Sequence, residues 1–382
     1  MKILLVGEYS NVHWTLAEGL RKLGHEVTVL SNGDFWKNYP RDIDLSRKPG
    51  KWGGICYMAR LYSLLPKLKG YDVVQLINPM FLELKAERIF SIYDYLRQHN
   101  GKVFLGAFGM DFYWMYVNSH QMPLRYSDFN IGKELRQDYP ARMEMLDWKI
   151  GTAKHRLNKM IVKDCDGVIA GLYEYWVSYH QYYAHKLSFI PFPIVCTRTH
   201  PILPWKDGEP VKLFIGINRS RSLYKGTDIM LRAAQDIVAR YPERVELQIA
   251  QNVPFARYRE MMRSSHALLD QLYSYTPSMN PLEAMSQGIV CIGGGEPENY
   301  SILNETQLRP IINVEPNYES VYEQLERLVL HPEVLPDLQQ QSIDYVRKHH
   351  DYLKVARQYL DVYQGKTPVA SSSSHEKRAL ES

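Results

Sequence analysis

Three features of specialised proteins are absent from this sequence of 382 residues. No apolar run approaches the ~18 residues that a membrane-spanning helix needs. The four cysteines, Cys56, Cys165, Cys196 and Cys291, include no C-x-x-C pair, which argues against a disulfide framework or a zinc site. The net charge is only +4 and gives no reason to expect a nucleic-acid partner. We therefore expect a soluble globular protein whose cysteines are ordinary buried thiols.

The N-terminus does not show the pattern of a secretory leader. The opening MKILLVGEYSNVHW runs directly into a short apolar segment, without the basic region, longer apolar stretch and small-residue cleavage site of a signal peptide. We therefore expect a cytoplasmic protein. The chain is too long for one ordinary core, which favours two domains.

The first half of the chain alternates between strand and helix patterns. Residues 3–6 are continuously apolar, as in a strand buried on both faces. The pattern then predicts a helix ending at Gly24, strands at 27–30, 73–77, 103–105, 168–170 and 187–190, and helices at 57–67, 82–98 and 174–179. This alternation indicates parallel strands joined by right-handed crossovers.

The alternation breaks twice. Residues 111–163 are rich in aromatic side chains and mostly helical in composition after Ile131, and we interpret them either as an insertion that caps the first domain's cleft or as a helical decoration. Prolines 191, 193, 201 and 204 then mark a linker. We assign a first domain to 1–194 and a second to 205–345.

The second half repeats the same architecture. It predicts strands at 211–215, 245–249, 267–272 and 289–292, and helices at 227–241, 255–262, 281–287, 318–330 and 352–363. The serine-rich tail 365–382 has no periodicity, and we expect it to be disordered. The predicted fold is α/β, with two Rossmann-like, doubly wound domains facing a central cleft. Because neither first loop carries G-x-G-x-x-G, a dinucleotide-dependent dehydrogenase is disfavoured.

Residues 216–226, GINRSRSLYKG, place Arg219, Arg221 and Lys225 between a buried strand and a helix. Three cations on one tight segment repel one another unless an anion lies among them, and the following helix N-terminus adds backbone donors. A diphosphate fits such a segment, because arginine binds its oxygens in a fork and lysine binds them as a point charge. The alternative is a solvated basic turn.

The segment 274–288, SYTPSMNPLEAMSQG, follows another predicted strand. We expect Pro281 to open a helix with Glu283 in its first turn, where the carboxylate can accept bonds from a pair of vicinal ribose hydroxyls. Gly293, Gly294 and Gly295 follow the next strand and would let a ligand approach the backbone closely.

These segments resemble the retaining glycosyltransferases of the GT-B fold, of the group 1 or family 4 type. The resemblance covers nearly the whole chain through four segments: GEYSNVHWTLAEGLRKLGHEVTVLS, KGTDIMLRAA, PLEAMSQGIVCIGGGEPE and YLKVARQYLDVY. It implies a nucleotide-diphosphate-sugar donor held mainly by the second domain and an acceptor held mainly by the first. It also implies that the closing helix, within 346–364, returns to pack on the first domain.

The resemblance assigns roles to individual positions. Lys225 with Arg219 or Arg221 would neutralise the leaving diphosphate, and Asp111, in the FGMD segment 108–111, would lie near the reacting centre as a base or an orienting group. Further residues are assigned to the donor (Glu283, Tyr275, Ser278, Asn280, Gly293, Gly294 and Gly295) and to the acceptor or its loops (Asn11, His13, Phe108 and Gly109). Two positions depart from the family pattern: Tyr275 stands where glutamate is frequent, and Phe108 where histidine is frequent.

The resulting hypothesis is sugar transfer with retention of configuration to a glycan or lipid-linked acceptor, in surface polysaccharide or glycoconjugate synthesis. The departing phosphate would help to deprotonate the acceptor by front-face attack. With no carboxylate pair suited to a divalent metal, we expect no metal and no cofactor besides the donor substrate.

Two further questions stay open from the sequence. The alternatives to a transferase are a nucleotide-sugar epimerase on the same fold and a non-catalytic nucleotide-sugar-binding homologue, the latter favoured by Tyr275 and Phe108. The basic and aromatic residues of 41–48 and 51–52 form either a solvated face or a peripheral contact with the inner membrane surface.

Overall fold

The computed structural model describes residues 1–196 and 203–366, apart from the side chain of Ser220. The tail predicted to be disordered and part of the proline-rich linker therefore lie outside the described residues, except for 365–366. Among the described residues, every helix is too short or too polar to cross a bilayer.

The first domain, called the N-lobe, contains a seven-stranded sheet. Its strand order is β3-β2-β1-β4-β5-β8-β9, and all neighbouring strands are parallel. Its strands are β1 (Lys2–Val6), β2 (Glu26–Ser31), β3 (Ile43–Asp44), β4 (Val73–Leu76), β5 (Lys102–Ala107), β8 (Gly167–Ala170) and β9 (Leu187–Phe189). The helices around it are α1 (Val12–Lys22), α2 (Gly50–Leu64), α3 (Ala86–His99) and α7 (Tyr173–Tyr183). The central strands are buried along their length, as crossover helices on both faces require.

The segment predicted as an insertion interrupts the N-lobe between β5 and β8. It contains α4 (Phe112–Tyr116), a π-helical turn (Val117–Gln121), an antiparallel hairpin of β6 (Asn130–Ile131) and β7 (Glu134–Leu135), α5 (Tyr139–Asp147) and α6 (Ala153–Asp164). The hairpin is a feature that composition did not predict.

The second domain, called the C-lobe, has a parallel five-stranded sheet in the order β11-β10-β12-β13-β14. Its strands are β10 (Val211–Ile217), β11 (Val245–Gln251), β12 (Ala267–Leu269), β13 (Val290–Gly293) and β14 (Ile312–Asn313). Its helices are α8 (Ser222–Lys225), α9 (Thr227–Arg240), α10 (Phe255–Arg263), α11 (Met279–Ser286), α12 (Pro297–Ile302), α13 (Tyr318–Leu330) and α14 (Leu335–His349).

The last helix, α15 (Tyr352–Tyr363), packs on the N-lobe rather than on the lobe that precedes it. Asp351 caps its N-terminus through the backbone N–H groups of Leu353 and Lys354, and its inward tyrosines, Tyr359 and Tyr363, are buried. Gly19 of α1 permits the contact, because a Cβ there would lie 2.6 Å from the carbonyl oxygen of Tyr352.

Candidate functional site

The cationic segment, residues 216–226, contains two helical turns. After β10, residues Arg219–Arg221 form a 3-10 turn and α8 follows as one short helical turn. Gly226 joins α8 to α9 with φ of 71°, a left-handed conformation that favours glycine. A Cβ at Gly226 would also lie 2.9 Å from that of Leu272. The glycine therefore holds Lys225 next to the first turn of α9.

Lys225 is half-buried, whereas Arg219 and Arg221 are exposed. Burial lowers the pKa of the Lys225 ammonium; the nearby charges of Arg221 and Lys37 act in the same direction, and Asp270 opposes them. Lys37 belongs to the N-lobe, where it pairs with Asp34 at 2.6 Å. The charges of cations from both lobes therefore act on Lys225, an arrangement that an anion in the cleft would stabilise.

Arg221 differs from Arg219 in its surroundings. Its charge acts on Lys225, on Asp128 and on Glu144, and its guanidinium lies 5.5 Å from the Tyr224 ring centroid. Arg221 therefore faces the space between the cationic segment and the insertion, which distinguishes two arginines that the sequence left equivalent.

The helix that carries Glu283 begins earlier than predicted. α11 starts at Met279, so Pro281 is its third residue and Glu283 its fifth. The prediction that Pro281 opens the helix with Glu283 in its first turn is therefore wrong. Proline is tolerated at the third position because the N–H groups of a first helical turn have no intrahelical acceptor; Ser278 occupies the preceding cap position.

A series of polar contacts connects Lys225 to the start of α11. Asp270, at the carboxyl end of β12, interacts with Lys225 and accepts a hydrogen bond from the Asn280 side chain. Asn280 in turn accepts one from the Tyr258 hydroxyl at 3.2 Å. Glu283 is bound to Arg259 at 2.6 Å and is partly exposed. The cationic segment and Glu283 thus lie on one polar edge of the C-lobe sheet.

Tyr275 and the three glycines form the packed part of this edge. Tyr275 is buried, and its hydroxyl accepts a hydrogen bond from the backbone N–H of Arg125 at 2.6 Å. A Cβ on Gly294 would lie 1.9 Å from the carbonyl oxygen of Ser274, and one on Gly295 would lie 2.7 Å from Ile311 Cγ2, whereas Gly293 has more room. Close packing inside the lobe is therefore sufficient reason for Gly294 and Gly295.

The N-lobe edge is built from buried groups. Glu8 accepts the backbone N–H groups of His13 and Trp14 at 3.2 and 2.9 Å and so caps α1, while burial raises the pKa of its carboxyl to about 8. His13 is fully buried with Nδ1 2.8 Å from the carbonyl oxygen of Gly7, and burial lowers its pKa to about 3. Asn11, with φ of 73°, precedes the helix.

The FGMD segment is also buried, except around Gly109 and Met110. Phe108 packs with its ring centroid 5.3 Å from that of Phe192 and 6.4 Å from that of His13. A Cβ on Gly109 would lie 3.3 Å from the Tyr9 ring. Asp111 accepts the Trp114 N–H at 2.8 Å and the Tyr179 hydroxyl at 2.7 Å, and burial raises its pKa to about 6. In this structure Asp111 caps α4.

The insertion reaches the C-lobe next to the cationic segment. Arg136, whose side chain is buried, donates to the carbonyl oxygens of Leu223 and Tyr224 at 2.8 and 3.2 Å. Its guanidinium lies 3.5 Å from the Tyr273 ring centroid. The Tyr224 hydroxyl donates to Asp128 at 2.5 Å. The insertion therefore supports α8 and is more than a decoration of the first lobe.

Two further contacts between the lobes lie around Tyr275. Arg125 pairs with Glu296 and Glu298, each at 2.6 Å. Glu174, buried at the start of α7, accepts the hydroxyls of Ser274 and Thr276 at 2.8 and 2.7 Å. The sequence offered no signal for these pairs, because each joins residues 100 or more positions apart.

No group of three or more His, Cys, Asp or Glu side chains suited to a metal ion occurs in residues 1–196 or 203–366.

No protein-family model and no curated protein matches the sequence. Solved structures do match. A sucrose-phosphate synthase from Thermosynechococcus elongatus is 12% identical, with a TM-score of 0.59 over 96% of this chain and 99% of that one. HepE of Anabaena, in complex with UDP and glucose, is 11% identical, with a TM-score of 0.58 over 96% and 100%. A UDP-GlcNAc 2-epimerase from Neisseria meningitidis, bound to UDP-GlcNAc, is 12% identical, with a TM-score of 0.54 over 96% and 100%. At this identity the likeness concerns the fold, and the chain has the two-lobed GT-B fold that its sequence predicted.

Proposed function

We propose that this protein is a glycosyltransferase that takes its sugar from a nucleotide-diphosphate donor bound in the cleft. The observation that carries the proposal is the half-buried Lys225 at the N-terminus of α9, which is near enough to Arg221 of its own lobe and to Lys37 of the other for their charges to lower its pKa. Binding a diphosphate would offset the mutual repulsion of these cations and satisfy free backbone donors of the helix.

The donor would extend along the C-lobe edge from Lys225 to Glu283. Lys225 and Arg221, rather than Arg219, would neutralise the leaving diphosphate, because the charge of Arg221 acts on Lys225. Glu283 would accept the ribose hydroxyls after Arg259 moves aside. Asn280, Ser278 and the backbone at 293–295 would line the diphosphate and sugar, with Tyr275 closing the far end. The match to HepE in complex with UDP and glucose supports a uridine nucleotide as the first donor to try.

Catalysis would rest on charge. Glycosyl transfer develops negative charge on the leaving diphosphate, and cations fixed in advance at that point lower the barrier most directly. The acceptor, a glycan or a lipid-linked sugar of a surface polysaccharide or glycoconjugate, would bind the N-lobe edge near Gly109 and Asn11. Asp111, buried beneath this edge, would orient the acceptor. The leaving phosphate would take the acceptor proton during front-face attack with retention. This chemistry would need no metal, and we place it in the cytoplasm.

The test is donor turnover with a panel of UDP- and GDP-sugars. We expect Lys225→Ala to lower kcat/KM by about 100-fold or more, the usual scale for one electrostatic group at a developing charge. Lys206→Ala, at an exposed C-lobe lysine, is the matched control and should leave turnover unchanged. Unaltered turnover in Lys225→Ala would refute the leaving-group role.

An epimerase on the same fold is the second candidate, since the Neisseria epimerase matches over nearly the full chain. NMR of the products separates the alternatives. A transferase or a donor hydrolase releases nucleoside diphosphate and leaves the remaining donor with its original configuration. An epimerase yields a new sugar configuration without an acceptor, and a non-catalytic homologue binds donor without changing it.

A further inference from the structure

Helix α2 buries one face and leaves an apolar stripe on the other. Gly53, Tyr57 and Leu61 are its buried residues, and the Tyr57 hydroxyl accepts the backbone N–H of Glu83 at 3.2 Å. On the outer face Trp52, Ile55 and Tyr62 have exposed fractions of 79%, 58% and 52%. Their spacing of three and seven residues, with the exposed Ala59 between Ile55 and Tyr62, places them in one stripe along the helix.

The chain segment that carries this stripe has side-chain charge of one sign. Between Asp44 and Asp72 the sequence contains no acidic residue, and its cations, all exposed, are Arg47, Lys48, Lys51, Arg60, Lys67 and Lys69. On a helical projection, Lys51 and Arg60 flank the stripe on opposite sides. An apolar stripe with cations on both sides is the arrangement of a helix that lies in a membrane interface.

In the structure, the basic surface begins later in the chain than the sequence suggested. Arg41, at the start of the basic run that the sequence suggested, is bound to Asp44 at 2.6 Å and adds little free charge. Arg60 lies 3.8 Å from the same carboxylate, an exposed and weak pair. The surface with uncompensated charge therefore follows Asp44 and continues along α2 to Lys69.

We propose that the outer face of α2, with its flanking cations, docks this protein on an anionic lipid bilayer. A second copy of the chain does not fit this face, because a symmetric contact would place six cations against six. The helix is about 22 Å long at 1.5 Å per residue, which lets the whole stripe lie flat on the headgroups. The cations would be drawn to anionic headgroups while Trp52 and Ile55 enter the boundary with the acyl chains.

The cavity behind α2 connects this surface with the N-lobe edge. It has a volume of about 280 Å³ and is lined by Tyr57 of α2, by Glu8 and Tyr9 after β1, and by Phe35. A bilayer on the outer face of α2 would thus lie across one helix from the edge where the proposed function puts the acceptor. Docking itself is independent of that function, and its test measures binding alone.

The experiment sediments the full-length protein with vesicles of phosphatidylcholine, or of phosphatidylcholine mixed with phosphatidylglycerol. We expect binding only to the mixed vesicles, lost at high salt. Lys51→Gln with Lys67→Gln should weaken binding about 25-fold, at about fivefold per cation. Trp52→Ser with Ile55→Ser should weaken it about tenfold or more.

Leu330→Ser with Val334→Ser, at partly exposed apolar positions of the C-lobe, is the matched control and should bind like the wild type. An unchanged melting temperature of the α2 variants establishes that lost binding is not lost folding. Three results would overturn the proposal. They are no binding to mixed vesicles at low salt, binding by both α2 variants that equals that of the wild type, or a dimer in solution that the substitutions at Trp52 and Ile55 dissociate.

Discussion

The carboxyl edges of the two sheets occupy equivalent places in the two lobes but use their charged residues differently. On the C-lobe edge, Arg221 is exposed and Lys225 and Glu283 are partly exposed. On the N-lobe edge, Glu8 and Asp111 are buried and accept backbone N–H groups of the helices that follow them. The cations of the first set remain available to a ligand and Glu283 is held by the partly exposed Arg259, whereas the second set stabilises its own lobe. A charged residue at a sheet edge therefore indicates ligand binding only where its side chain does not already cap a helix of its own lobe.

The different roles of the two edges are tested most directly by removing one charged side chain from each edge. Asp111→Ala leaves the buried Tyr179 hydroxyl and the start of α4 without their acceptor, and we expect the free energy of unfolding to fall by about 3 kcal/mol. Lys225→Met removes a partly buried charge near two other cations, and we expect it to raise the free energy of unfolding by about 1 kcal/mol while activity is lost.

Chemical denaturation of both variants measures the two effects. The Lys225→Met gain should shrink at high pH, because burial lowers the folded-state pKa of Lys225 and the penalty disappears once the lysine is neutral in both states. A stable Asp111→Ala variant without activity would instead place Asp111 among the groups that act directly on the acceptor.

Two arginines of the insertion provide the next test. Arg136→Met leaves two backbone carbonyls beside α8 without a donor, and we expect a loss of about 2 kcal/mol in the free energy of unfolding together with weaker donor binding. Arg142→Met is the matched control, because Arg142 is exposed on α5 and loss of a surface charge costs well under about 1 kcal/mol. Denaturant melts and donor titration by calorimetry measure both quantities; equal losses in the two variants would contradict the assigned importance of Arg136.

The smallest effect concerns Glu283. Glu283→Ala should lower kcat/KM by about tenfold for a ribonucleotide donor, or about 1.4 kcal/mol, and hardly at all for the 2′-deoxy analogue. Glu260→Ala, at an exposed glutamate of α10, should affect neither donor. Steady-state kinetics with both donors decides the matter, and equal losses with both would remove the ribose from the proposal.

Periodicity in the sequence predicted the alternating architecture well, because buried parallel strands are continuously apolar and their crossover helices are amphipathic. The cationic segment was equally visible, since its residues are adjacent in sequence. The start of α11 was misplaced because proline is accepted at any position of a first turn. Arg136 and Glu174 were missed because they bind residues of the other lobe, and no local pattern in the sequence records a contact between the lobes.

The closing helix has a mechanical consequence. The chain passes between the lobes twice, and the two passages are bonded to each other: the Ile194 N–H donates to the His350 carbonyl at 2.7 Å, and the Tyr352 N–H donates to the Ile194 carbonyl at 3.0 Å. A rigid-body opening that preserves these bonds would keep the two passages together at Ile194, so that they would bend as one hinge. The displacement of one lobe relative to the other would then grow with distance from this hinge.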